Sequence, residues 1–154
     1  MAKKASAGDA DIILKLYDLR REAELRKARR WWLNDFWPES ADDVLAVMRA
    51  VGTQENSWFR QVLGYWGIAT SLALNGAVSE TLFLDPSFCG EMFVILCKIK
   101  PFLKELRATM GTPLLLKNIE DMATRTKASR DWLAYMEKNV ARMKEARKGQ
   151  APKS

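Results

Sequence analysis

Apolar residues return every three or four positions along almost the whole chain, and almost no stretch alternates with period two. That spacing matches the turn of an α-helix and gives a strand no buried face, so an all-α fold is expected. A chain of 154 residues can bury one sizeable core without metals or disulfides, and 48% apolar with 29% charged residues is the balance of a folding chain. A single helical-bundle domain over 9–148 is therefore expected, between flexible segments at 1–8 and 149–154.

The punctuation predicts about five helices, with the first and last long. Asp9 is read as the cap of a helix carrying Ile12, Leu16, Leu19 and Ala23 to about Trp37, where Pro38 disfavours helical geometry. Ser40 with Asp43 reads as a capping box for a short helix ending near Gly52. The third helix buries Phe59, Val62, Trp66, Ala69 and Ala73 and stops at Asn75-Gly76, with one further turn at Ser79–Phe83. Asp85-Pro86 starts the fourth, whose wide apolar face includes Phe88, Met92, Ile95, Ile99, Phe102 and Leu106. Pro101 kinks it or splits it near Lys98, and Gly111 ends it.

Thr112-Pro113 is expected to open the last helix, along which Leu115, Ile119, Met122, Thr126, Ser129, Leu133, Met136, Val140 and Met143 form a heptad seam. At 1.5 Å per residue the first helix would run roughly 40 Å and the last roughly 50 Å, longer than a compact core needs. The first also carries a second stripe of Leu14, Tyr17, Leu25, Ala28, Trp32 and Phe36. A spare stripe and a spare seam point to a homo-oligomer or a helical protein partner, though a helix sandwiched between two layers explains the stripe equally well.

Charge is uneven. Lys and Arg outnumber Asp and Glu 9 to 6 over residues 1–37 and 14 to 6 over 98–154, whereas residues 38–97 hold 2 against 7. Either the basic ends dock on an acidic middle, or they reach towards an anionic partner such as nucleic acid or a membrane surface. The charge-free stretch Gln61–Ser79 approaches the length of a membrane span, but its polar residues and glycines suit a buried bundle helix better. With no apolar leader, a cytoplasmic location is expected, and Cys89 and Cys97, eight residues apart on one helix, are expected as buried free thiols.

Catalytic chemistry finds little to work with. The sequence has no histidine, which removes the commonest general base and metal ligand, and it carries neither a Walker loop nor a dinucleotide fingerprint. Glu80, Asp85 and Glu91 match no acid–base motif and read as caps and turn residues. A non-enzymatic chain without metal or cofactor is expected. The most unusual run is Arg26-Lys-Ala-Arg-Arg-Trp-Trp-Leu-Asn-Asp-Phe-Trp37, four basic residues ahead of four aromatic ones. Such a run grips phosphates and bases, anchors a helix in a headgroup layer, or makes a protein hot spot; alternatively its aromatics are simply core. Arg29, Arg30, Trp31 and Trp32 are the expected partner-binding residues, with Trp31 about a quarter turn off the buried stripe and so more exposed than Trp32.

Trp66, the stop at Gly76, Leu82-Phe83, Pro101, Arg107 and the helix after Gly111 resemble a family of short uncharacterised bacterial helical proteins, classed only as a domain of unknown function. The resemblance spans Trp66–Ala123 and implies a helical fold, without a catalytic residue, ligand or partner. The expected function is a protein-interaction or assembly module, with a nucleic-acid-binding or membrane-surface accessory protein as the alternative.

Overall fold

The computed structural model describes residues 4–150. Every regular element among them is helical: α1 (Ala7–Leu19), α2 (Ala23–Arg30), a π-helical turn (Trp31–Asp35), α3 (Ala41–Arg49), α4 (Gln54–Leu74), α5 (Glu80–Phe83), α6 (Pro86–Ile99), a 3-10 turn (Lys100–Phe102), α7 (Leu103–Met110), α8 (Lys117–Thr124) and α9 (Lys127–Gln150). The all-α expectation holds, but the chain is cut more finely than about five helices. Caps that break the hydrogen-bond ladder sit inside stretches whose apolar spacing runs on.

The first long helix is really three segments. Ser6, not Asp9, caps α1; its hydroxyl accepts from the Asp9 amide at 3.2 Å while the Asp9 carboxylate accepts from the Ser6 amide at 2.7 Å. Asp9 also accepts from the Ser79 amide at 2.9 Å, pinning α1 to the start of α5. Ala7, Gly8, Gly149 and Gln150 are helical; residues 1–3 and 151–154, the outer parts of the expected flexible ends, lie outside the described residues. The chain then breaks at Arg20–Glu22, where the Glu22 carboxylate accepts from the amides of Leu25 (2.8 Å) and Glu24 (3.1 Å), which hold its pKa below the usual carboxylate range. Past Arg30 the ladder widens, and the Phe36 amide donates to the Trp31 carbonyl five residues back, at 2.9 Å.

α4 and α6 form the centre as expected. Phe59, Val62, Trp66, Ala69 and Ala73 of α4 are buried, as are Phe88, Met92, Ile95 and Ile99 of α6, and Leu103 and Leu106 continue that face into α7. Pro101 splits the helix instead of kinking it, through the turn at 100–102. Gly111 closes α7 at φ +67, a backbone region where a side chain would be strained. No helix among the described residues is long and apolar enough to cross a membrane.

The last helix is also divided. Thr112-Pro113 does not start it; the chain turns through 112–116, and Leu116 takes a left-handed φ of +53 before α8 begins. A second break falls at Arg125–Thr126, where Thr126 Oγ1 accepts from the Ser129 amide and Ser129 Oγ from the Thr126 amide, both at 3.0 Å. These two small polar seam residues start α9 by reciprocal capping and do not serve close helix approach. Ile119, Met122, Ser129, Leu133 and Val140 are buried within the one chain, where α9 packs on α6 and α8, and only the end of the seam at Met143 is exposed. The seam is spent on the chain's own core.

Candidate functional site

Where α1 stops, the chain turns Arg20 inward. Its side chain lies between Trp66 of α4 and Phe88 of α6, whose ring centroids are 4.7 and 4.6 Å from the guanidinium carbon, with Tyr17 and Tyr65 at 5.4 and 5.7 Å. Nε donates to the Tyr65 hydroxyl at 3.1 Å and Nη2 to the Phe88 carbonyl at 2.6 Å; the Tyr65 hydroxyl donates onward to the Leu16 carbonyl. Arg20 is 6% exposed, and its cation rests on neutral acceptors and aromatic faces. No ion pair joins it to a carboxylate among the described residues.

Arg29 of α2 approaches the same place from the other side. Its Nε donates to Glu91 Oε2 at 2.7 Å, and Glu91 Oε1 accepts from the Trp66 indole at 3.0 Å, so both oxygens of a carboxylate only 7% exposed are engaged. Between these groups opens a cleft of about 430 Å³, walled by Tyr17, Arg20, Arg21, Arg29, Phe88 and Glu91 together with the start of α6. Arg20, Arg21 and Arg29 line it with one carboxylate whose two oxygens are both engaged; Asp18 pairs loosely with the exposed Arg21 at 3.8 Å, and Asp85, at the start of α6, accepts from the Ser87 amide at 2.9 Å. Burial raises the Tyr65 phenol above its ordinary pKa despite the hydrogen bond from Arg20, so it stays protonated and keeps its bond to Leu16. A walled cleft with an excess of planar cations is suited to holding a carboxylate or phosphate.

The cleft continues onto an apolar surface. Leu14 and Tyr17, three residues apart on α1, are 65% and 53% exposed, and Tyr17 belongs to both the patch and the cleft wall.

The four residues expected to bind a partner are dispersed. Arg29 joins the cleft through Glu91. Arg30 is exposed beside a shallow hollow of about 260 Å³ that Trp31 borders with Trp58. Trp31 is 9% and Trp32 0% exposed, so the order expected between them holds but neither ring is free to anchor a partner. The physical reason is the π turn, which has more residues per turn and so narrows the angle between neighbouring side chains. Trp31 stacks on Phe36 at 4.6 Å and Trp32 on Phe59 at 5.0 Å.

Sequence reasoning missed Arg20 and Lys98. Arg20 falls four residues after Leu16, on the buried stripe itself, and a cation at a core position was the available signal. Lys98 interrupts the apolar run from Met92 to Ile99 in the same way. It is buried, and its Nζ donates to the carbonyls of Trp32 (2.5 Å), Phe36 (3.0 Å) and Leu33 (3.2 Å), closing the end of the π turn. Glu80, Asp85 and Glu91 do not assemble: Glu80 pairs with Arg125, Asp85 caps α6, and Glu91 holds Arg29. Cys89 and Cys97 are free and buried, and burial pushes both thiols up to about 12.

Residues 5–126 match the model of a family described as a domain of unknown function, DUF4760, extending the resemblance read at Trp66–Ala123 back to residue 5. The match covers every residue of the cleft and stops just short of α9. No curated protein and no solved structure matches the chain.

Proposed function

The chain belongs to the DUF4760 family of domains of unknown function, and we propose that it is a non-catalytic protein-interaction module whose contact surface is the arginine cleft together with the outer face of α1. The partner it fits is a protein segment carrying an acidic side chain or a terminal carboxylate next to apolar residues. The observation that carries this reading is Arg20, a nearly sealed cation with no carboxylate of its own, opening onto a cleft shared with Arg21 and Arg29. Leu14 and Tyr17 add exposed apolar area beside it, and an arginine next to a tyrosine is the usual make-up of an interface hot spot.

The distribution of ion pairs supports this surface over the basic ends as the contact. Arg29 with Glu91, Arg125 with Glu80 and Lys148 with Glu39 join basic end segments to acids of the middle, which favours internal docking over a broad anion-binding face.

A selection of random short peptides on the immobilised protein tests the proposal. Recovered peptides are expected to share an acidic residue flanked by apolar ones, and to lose binding to a Tyr17→Ala/Arg21→Glu variant whose melting temperature is unchanged. Peptides without an acidic consensus, or ones that bind that variant equally well, overturn it.

A further inference from the structure

A second cavity, of about 460 Å³, lies on a different face, between the middle of α9 and the turn that joins α6 to α7. Its walls are Trp37, Phe102 and Val140, with Pro38, Pro101 and Cys97 between them. This size is within the range of small-molecule sites, which are mostly apolar with a few placed polar groups. No residue of the arginine cleft lines it.

The charge in its lining is mostly positive. Lys98 lies at its base, with Nζ 3.6 Å from the centroid of the Trp37 ring, and the Arg147 guanidinium is 5.3 Å from the same ring. Lys144 donates only to a neutral acceptor, the Pro38 carbonyl at 3.1 Å. Lys100 alone has a carboxylate in the lining, Glu137. Asp35 and Asp43 act on Lys98 and Lys144 from outside the cavity wall. An apolar chamber with three lysines and one acid in its lining is complementary to a molecule that is apolar over most of its surface and negative at one end. A neutral apolar molecule would give Lys144 no acceptor within the cavity stronger than the Pro38 carbonyl, and a polyanion such as a nucleic-acid strand would place charge against Trp37, Phe102 and Val140.

We propose that this cavity binds a small amphipathic organic carboxylate, with its apolar body between Trp37, Phe102 and Val140 and its carboxylate at Lys144 on the rim. Lys144 is chosen over Lys98 because the Lys98 nitrogen is buried and already directed at three π-turn carbonyls. Lys100 is held by Glu137. Lys144 needs only to exchange one carbonyl for a carboxylate, a stronger acceptor.

Octanoate is the probe, 1-octanol the uncharged control, and titration calorimetry on the full chain the measurement. Two variants read out the site without touching the core. Ala141→Trp introduces bulk into the cavity from an exposed position, and Lys144→Met removes the cation while keeping the stem. The expected result is saturable one-site octanoate binding, about tenfold weaker for octanol and for Lys144→Met, and lost in Ala141→Trp. Trp37→Phe removes any accompanying fluorescence change, which assigns the signal to this wall. Absence of saturable binding below about 10 mM, equal binding of octanol, or undiminished binding to Ala141→Trp each overturns the proposal.

Discussion

Replacing Lys98 by methionine keeps the apolar stem and removes only the ammonium. In the wild type that ammonium donates to three carbonyls at the end of the π turn, and the bonds to Trp32 and Phe36 are buried. A buried carbonyl deprived of its donor costs about 1–3 kcal/mol, whereas the part-buried Leu33 carbonyl can turn to water. The change also relieves the cost of burying a cation, an opposing effect of similar size, so the pH dependence of the difference and not its value at pH 7 carries the prediction.

The pH dependence is the sharper signature. Burial first, and then the charge of Arg147, push the Lys98 amine from 10.5 down to about 7, against the pull of Asp35. Between those values the unfolded chain binds a proton that the folded chain has given up, so this group makes the wild type more stable as pH rises from about 7 towards 10.5. Over pH 7 to 9 this is worth about 2 kcal/mol, and Lys98→Met lacks it. The thiols work in the opposite sense: Cys89 and Cys97, pushed up from 9.0 to about 12, stabilise the fold below pH 9 and lose that contribution as pH rises towards 12. They are present in both proteins and cancel in the difference. Urea unfolding of the two proteins at pH 6, 7, 8 and 9, roughly spanning the window, should give a stability gap that is flat below 7 and widens above it. A wild-type-minus-variant difference that does not rise with pH above 7 refutes the reasoning.

The aromatic run gives a second expectation: Trp31→Ala and Trp32→Ala should each destabilise by about 3 kcal/mol or more, because both rings are packed, and a neutral Trp31→Ala in thermal melts would contradict the packing shown here. Glu91→Gln removes one partner of a sheltered pair and should cost about 3 kcal/mol in chemical denaturation; a loss within error would mean that Arg29 and Trp66 find other acceptors. Light scattering at micromolar concentration should return the mass of one chain, since the seam of α9 is buried internally, and a dimer that persists in a Leu14→Ala/Tyr17→Ala variant would place self-association elsewhere. Native protein should react slowly with a thiol reagent at pH 8 and yield two thiols on denaturation, because burial keeps both cysteines protonated; fast native labelling would count against it.

How much of this was legible beforehand depended on whether a signal was local. The box at Ser40 and Asp43, the Asp85-Pro86 start and the stop at Gly111 are each decided by a few adjacent residues, and all three appear where expected. The buried faces of α4 and α6 follow from spacing alone. The breaks at Arg20–Glu22 and Arg125–Thr126 were hidden because the apolar spacing continues across them, and Glu22 is an unusual cap. The pairing of Trp31 with Trp32 in the core depends on a π turn closed by Lys98 from a distant helix, and nothing within one helical stretch announces that. The cleft had the same difficulty. Arg20, Arg29 and Glu91 come from three segments: Arg29 stood out only as part of the basic–aromatic run, Glu91 read as a turn residue, and Arg20 was a lone charge on an apolar stripe.

The claim that the arginine cleft receives an anionic group is tested most directly by nuclear magnetic resonance of the guanidinium and backbone N–H groups, while a selected acidic peptide is added to the full chain. Shifts are expected at the side chains of Arg20, Arg21 and Arg29 and at the backbones of Leu14–Arg21 and Ser87–Glu91, saturating with a single affinity that weakens as salt is raised. Shifts confined to α9 or to the hollow beside Arg30 and Trp31, with the three cleft arginines unmoved, would contradict it.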